Sequence, residues 1–208
     1  MFETLSSFII ASATLAISPG PDNIFVLSQS IVHGKKYGLA TVFGLMTGCV
    51  VHTTLVAFGM SEIIQQEPTL FFIIKLFGAS YLLYLAYQVY KSDAKIAFST
   101  EKSTENIPEK STLQLFKKGF FMNVLNPKVT IFFLAFFPQF LFSKTIETII
   151  QFYILGGLFI LISTLVFSGI AILAGEISAS IKKNAQIGVY LKWAQIIVFL
   201  GIAILILF

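Results

Sequence analysis

The sequence predicts an all-α membrane protein of six transmembrane helices. They form two inverted three-helix repeats, and the first helix of each repeat is broken. Three observations carry this. Only 12% of the 208 residues are charged while 56% are hydrophobic, whereas a soluble domain carries roughly 25% charged residues. The apolar residues gather into six runs, each matching the roughly 20 residues a helix needs to cross a bilayer. Two of those runs, the first and the fourth, are interrupted by proline: at Pro19, Gly20 and Pro21, and again at Pro127.

Taken in order, the first span covers residues 5–32 and contains the stretch Ser18-Pro19-Gly20-Pro21-Asp22-Asn23. Proline removes a backbone donor and clashes with the carbonyl four residues back, and glycine frees the chain to leave helical angles. A helix broken inside hydrocarbon leaves polar backbone groups that only protein or trapped water can satisfy. A short basic turn, 33–38, leads to the second span, 39–60. A second turn, 61–69, precedes the third span, 70–90. Residues 91–118 are rich in Lys, Glu, Ser and Thr and cannot bury enough apolar surface to fold alone. They divide the chain into a first repeat (1–90), a solvated linker (91–118) and a second repeat (119–208). The fourth span, 119–142, is interrupted at Asn126-Pro127-Lys128. The fifth covers 149–174, a polar turn runs over 176–188, and the last span is 189–208.

Charge sets the orientation. The turns after spans one, three and five carry the lysines of positions 35–36, 91–118 and 182–183, while the turns on the other side carry Lys144 alone. Lysine-rich turns stay in the cytoplasm, so the linker should be cytoplasmic and both termini outside. The net charge of +4 is thus explained by topology, and no nucleic-acid partner is implied. The apolar start ends in SPGPDN and not in a cleavage site, so the first span is expected to remain. Because each half has three spans, the second enters the membrane inverted, as in many secondary transporters whose broken helices hold the substrate.

Asp22 is the one acid inside an apolar run. Ionisable groups at membrane depth are expensive and mark function. It could hold a substrate ammonium or exchange a proton; its structural alternative is a helix cap. Lys128 occupies the matching position of the second break, where its ammonium and the free N–H groups of a helix start suit a carboxylate; alternatively it neutralises Asp22. Asn126 suits a cap at that break. Gly44, Gly48 and His52 share one helix face, the glycines marking close helix packing. His52 is a second candidate for proton exchange, or a hydrogen bond across a helix contact. Cys49 and His52 lie one turn apart but lack a third ligand, so no metal is predicted. The lone cysteine forms no internal disulfide, and no phosphate loop or nucleophile–base pair appears, so neither a cofactor, catalysis nor self-contained ATP coupling is expected.

SPGPDN at 18–23, Gly44-x3-Gly48-x3-His52, Lys75-x2-Gly78-Ala79-x-Tyr81-Leu82-x-Tyr84-Leu85, and Asn126-Pro127-Lys128 followed by Phe136-Phe137-Pro138-Gln139-Phe140 together resemble the LysE/RhtB family of amino-acid exporters. The likeness runs in the right order over nearly the whole chain; the long linker departs from it. It implies a bacterial inner-membrane secondary transporter that exports amino acids, with proton antiport as the expected drive. Gly20, Asp22, Asn23, Asn126 and Lys128 would then bind the substrate's ammonium and carboxylate, and Gly48, Tyr81 and Tyr84 would select its side chain. The tyrosines could equally serve helix packing. Competing readings are a cation or metal exporter, which should show more acids or histidines at depth, and a membrane-embedded enzyme or assembly subunit. The sequence leaves the particular amino acid and the number of subunits open.

Overall fold

A computed structural model of the chain describes residues 2–18, 20–92, 111–183 and 186–207. Pro19, placed above in the first break, and positions 93–110 of the linker lie outside the described residues. The described residues are 91% helix, without strands: α1 Phe2–Ile17, α2 Pro21–His33, α3 Lys35–Gln66, α4 Pro68–Lys91, α5 Thr112–Val124, α6 Pro127–Ala135, a 3-10 turn Phe137–Phe140, α7 Thr148–Ile172, α8 Ala174–Lys183 and α9 Gln186–Leu207. Four helices, α3, α4, α7 and α9, are long and apolar enough to cross a membrane singly. The α1–α2 pair, bent by 57°, and the pair formed by α5 with Pro127–Phe140, bent by 52°, bring the number of spans to six.

Both bends fall where proline interrupts the apolar runs. At the first, Gly20 is extended and Pro21 opens α2, a position where proline's missing N–H costs nothing and its fixed φ suits the helix. At the second, the Asn126 side chain accepts from the Lys128 backbone N–H at 3.0 Å, and Pro127 again opens the helix. Each break also meets a freed carbonyl of the helix before it. Asn23 Nδ2 donates to the Ala16 carbonyl at 2.8 Å. The Asn123 carbonyl accepts from the Asn126 backbone N–H at 3.0 Å and from His52 Nε2 at 3.1 Å. Two lone pairs are thereby used, which is what makes broken backbone tolerable at depth.

Four stretches differ from the sequence reading. The turns expected at 33–38 and 61–69 are mostly helix, because α3 runs over 32 residues, about 48 Å. Lys, Glu and Gln are good helix formers, so polarity marks where this helix leaves the bilayer and not where it stops. Its real ends are Gly34, whose φ of 96° is open to glycine and costly for other residues, and Pro68. The fourth span begins at Thr112, where Ser111 and Gln114 form a reciprocal capping box, seven residues before its apolar run. The polar turn expected at 176–188 contains the amphipathic helix α8, which packs on α2.

Packing is tightest between α3 and α5. A Cβ on Gly44 would collide with the Phe116 carbonyl oxygen, one on Gly119 with the Thr41 carbonyl oxygen, and one on Gly48 would sit 2.6 Å from Asn123 Oδ1. Backbones approach this closely only where both helices present small residues. Helix α3 also packs on α7, and α4 on α9. Loops gather at two ends. Gly38 at the start of α3 packs against Ser30 near the end of α2 and Ala171 near the end of α7, and Lys192 Nζ reaches the Ser92 carbonyl at 2.8 Å. Glu62 and Glu147 meet at the opposite end. These groupings match the two sets of turns that the lysine distribution separates.

Candidate functional site

The two breaks meet. Asn126, while capping α6, turns its amide toward Asp22, with Nδ2 at 3.3 and 3.5 Å from the two carboxylate oxygens. The Lys128 ammonium lies against the backbone of the first break, 3.3 Å from where a Cβ on Gly20 would stand. On its other side the ammonium sits 4.8 Å from the centre of the Phe199 ring on α9, a cation–π distance. Gly20 is a close approach: a Cβ there would require the ammonium to give by a few tenths of an ångström.

Asp22, Asn23 and Lys128 open onto one cavity of about 50 Å³ between α1, α2, α3, α5, α6 and α7. That is room for a few waters, the scale of an amino acid's charged end. Most of the wall is apolar, including Phe132, Phe159 and Phe167. Phe132 of that wall belongs to a cluster of packed rings: it stacks on Phe136 at 4.5 Å, Phe133 stacks on Phe137 at 4.1 Å, and Phe8 lies edge-on to Phe137 at 5.2 Å.

Two charges share this cavity without closing on one another. Asp22 and Lys128 form no ion pair, and the Lys128 ammonium has no hydrogen-bond acceptor among the described residues. The amide contacts to Asp22 are at the long end for a hydrogen bond. Lys128 is also the second residue of α6, at the end of a helix that favours anions and disfavours cations. The ammonium is thus held against the helix dipole beside a phenyl ring, near enough to Asp22 for the two charges to act on one another.

The remaining candidates fall elsewhere. Gly48 packs directly on Asn123 and supports the cavity wall from behind. His52 is buried on the far side of Asn123, 5.4 Å from the Phe133 ring, where it satisfies a carbonyl left free by the end of α5. A carbonyl only accepts, so Nε2 carries the proton in this bond. Tyr81 and Tyr84 stand on α4 with ring centres 6.2 Å apart and do not line the cavity. Tyr84 is exposed and accepts from Gln88 Nε2 at 2.5 Å. The sequence reading passed over Asn123, which also accepts from Cys49 Sγ at 3.7 Å, and over Ser163 and Phe199. Asn123 carried a usable signal, being an amide inside an apolar run three residues before the second break.

A helical membrane protein whose two broken spans bring a carboxylate and an ammonium to one cavity is built as a membrane transporter. The chain belongs to the family of LysE type translocators, whose family model matches residues 13–207; it is a transporter and not an enzyme. It is 34% identical over 185 residues to the homoserine/homoserine lactone efflux protein of Salmonella typhimurium strain LT2, which spans 89% of this chain and 87% of that protein. The protein of the same name from Salmonella typhi matches to the same extent. An uncharacterized membrane protein of Vibrio cholerae is 28% identical over 176 residues, 85% of this chain and 83% of its own length. No solved structure matches the chain.

Proposed function

We propose that this protein exports small amino acids or close relatives across the bacterial inner membrane, with the lysine-rich turns in the cytoplasm and a proton moving inward in exchange. One observation carries the reading: Asp22 and Lys128 face the same cavity from two helix breaks without pairing. A zwitterion brings an ammonium and a carboxylate a few ångströms apart, and removing water from either without a partner is costly. Asp22 answers the ammonium. Lys128 and the start of α6 answer the carboxylate. The packing of α3 on α7 and of α4 on α9 pairs the second spans and the third spans of the two halves, which supports reading them as inverted copies about an axis through the breaks. The names of the Salmonella relatives agree with an amino-acid-like cargo leaving the cell.

Proteoliposomes test it. Purified protein in sealed vesicles loaded with homoserine should accumulate labelled homoserine from outside by counterflow, without ATP. Vesicles that show no counterflow for homoserine or for any of a panel of neutral amino acids would overturn the reading. In the same vesicles Lys128→Gln should weaken every transported amino acid by a similar factor, because all share the carboxylate. A charge-assisted contact contributes roughly 1.5–3 kcal/mol, so the loss should reach about tenfold or more. Unchanged affinity in a folded Lys128→Gln protein would reduce the lysine to a counter-ion. Orientation is checked separately: a reporter fused after Phe208 should be active only if it works outside the cytoplasm.

A further inference from the structure

We infer that the exposed face of α4, together with the start of α9, is a binding site for an anionic phospholipid of the bilayer leaflet at the Lys91 end. The inference stands apart from the transport cavity and from the side of the membrane on which that leaflet lies.

Ile73, Phe77, Ser80, Tyr84, Tyr87 and Lys91 recur at alternating steps of four and three, so they share one face of α4, and all six are exposed. Beside them, Gln88 Nε2 donates to the Tyr84 hydroxyl oxygen at 2.5 Å, which leaves that hydroxyl its own proton to give. Followed inward from Lys91, the face presents an ammonium, then phenol and amide groups within about 10 Å at 1.5 Å per residue. Beyond Ser80 it turns to hydrocarbon at Phe77 and Ile73. A phospholipid has the same order: a phosphate, ester carbonyls that accept hydrogen bonds, then acyl chains.

Charge names the class of lipid. The Lys91 ammonium lies 5.1 Å from the centre of the Tyr87 ring. From α9, the Lys192 ammonium lies 5.6 Å from the centre of the Tyr90 ring and donates to the Ser92 carbonyl at 2.8 Å. Tyr90 in turn meets Trp193 edge-on, with ring centres 6.2 Å apart. Rings at these distances hold ammonium groups close to the helix surface. The bond to Ser92 uses one of three donors on Lys192, and Lys91 makes no hydrogen bond or ion pair among the described residues. Neither α4 nor α9 contains an acid. The negative end of the α4 dipole favours lysines here, but it amounts to roughly half a charge against two. A second copy of the chain on this face would bring lysine against lysine, since a two-fold axis along the membrane normal pairs like ends. A phosphodiester supplies the missing negative charge. The site also gives a use to Tyr84, which does not line the transport cavity.

Trp193 is the chain's one tryptophan and is exposed in the site, so its fluorescence reads the lipid beside it. The full chain is reconstituted in phosphatidylcholine bilayers and titrated with phosphatidylglycerol brominated on its acyl chains, or with brominated phosphatidylcholine. Quenching should show phosphatidylglycerol preferred by roughly five- to thirtyfold, about fivefold for each lysine. Lys91→Gln with Lys192→Gln should bring the ratio close to one, glutamine at the second position keeping a donor for Ser92. Lys91→Arg with Lys192→Arg keeps the charge and should keep the preference. Lys35→Gln with Lys36→Gln, at the same end on α3, should leave it unchanged. Equal quenching of the wild type by both lipids would overturn the inference, as would a preference that survives loss of both lysines or a folded arginine protein without one. An equal fall in the Lys35 and Lys36 variant would assign the effect to diffuse surface charge and overturn the site. Recovery of the fluorescence by inorganic phosphate would make the ligand a free phosphate and not a lipid.

Discussion

Replacing Asp22 with asparagine should abolish concentrative export while leaving a residual exchange of labelled for unlabelled substrate. The motive is that the carboxylate stands at the start of α2, in the first broken span, with long amide contacts from Asn126 at 3.3 and 3.5 Å as its hydrogen bonds among the described residues. On the proposed reading this carboxylate takes either a proton or the substrate ammonium, but not both. Competition for one carboxylate is the simplest way to couple an outgoing zwitterion to an incoming proton. When the substrate leaves, protonation removes a charge that is costly to leave unpaired at depth. Asparagine keeps the shape and the contact to Asn126 but cannot change charge. With a pH gradient imposed across the vesicles, accumulation should fall from many-fold to the equilibrium ratio of one. Exchange, which needs no proton, should persist at reduced rate. Full accumulation by the variant would assign the proton elsewhere. His52 would be next, although its Nε2 is engaged on the Asn123 carbonyl at 3.1 Å.

What the sequence revealed and what it hid follow from the range of the forces involved. The breaks at Pro21 and Pro127 were legible because proline acts on its own backbone, whatever surrounds it. The seam of Gly44, Gly48 and His52 was legible because helical periodicity fixes a shared face. That face does pack on α5, with His52 and Gly48 both on Asn123. Periodicity does not say which partner a face meets. Tyr81 and Tyr84 shared a face too, and it proved to lie off the cavity. Ser163 was hidden for a related reason: a serine within a long apolar helix is commonplace, and only the meeting of six helices makes it part of the cavity wall. Helix ends were misplaced wherever charged residues were read as turns, since α3 continues into water at both ends of its apolar run.

Gly44→Ala should be the most damaging single-methyl change in the chain. Its Cβ would be built into the Phe116 carbonyl oxygen and close to the Phe120 backbone nitrogen, 2.9 Å away. These are main-chain atoms of α5, so no side-chain rotation relieves the clash and the two helices must separate. Overpacking a core commonly costs about 1–3 kcal/mol; here the upper end or beyond is expected, because Gly119 loses its contact with Thr41 at the same time. Separation also moves Asn123 away from His52 and Cys49, and Asn123 is the residue that ties the end of α5 to α3 just before the second break. The α6 start would then shift, and Lys128 with it. Thermal unfolding in detergent should show a melting temperature lowered by several degrees, together with reduced homoserine binding. Gly59→Ala serves as the control, since a Cβ there meets nothing within 4 Å, and it should melt with the wild type. A Gly44→Ala protein as stable as that control would mean that α3 and α5 are not held backbone to backbone, and the placement of the second break against the first would lose its support.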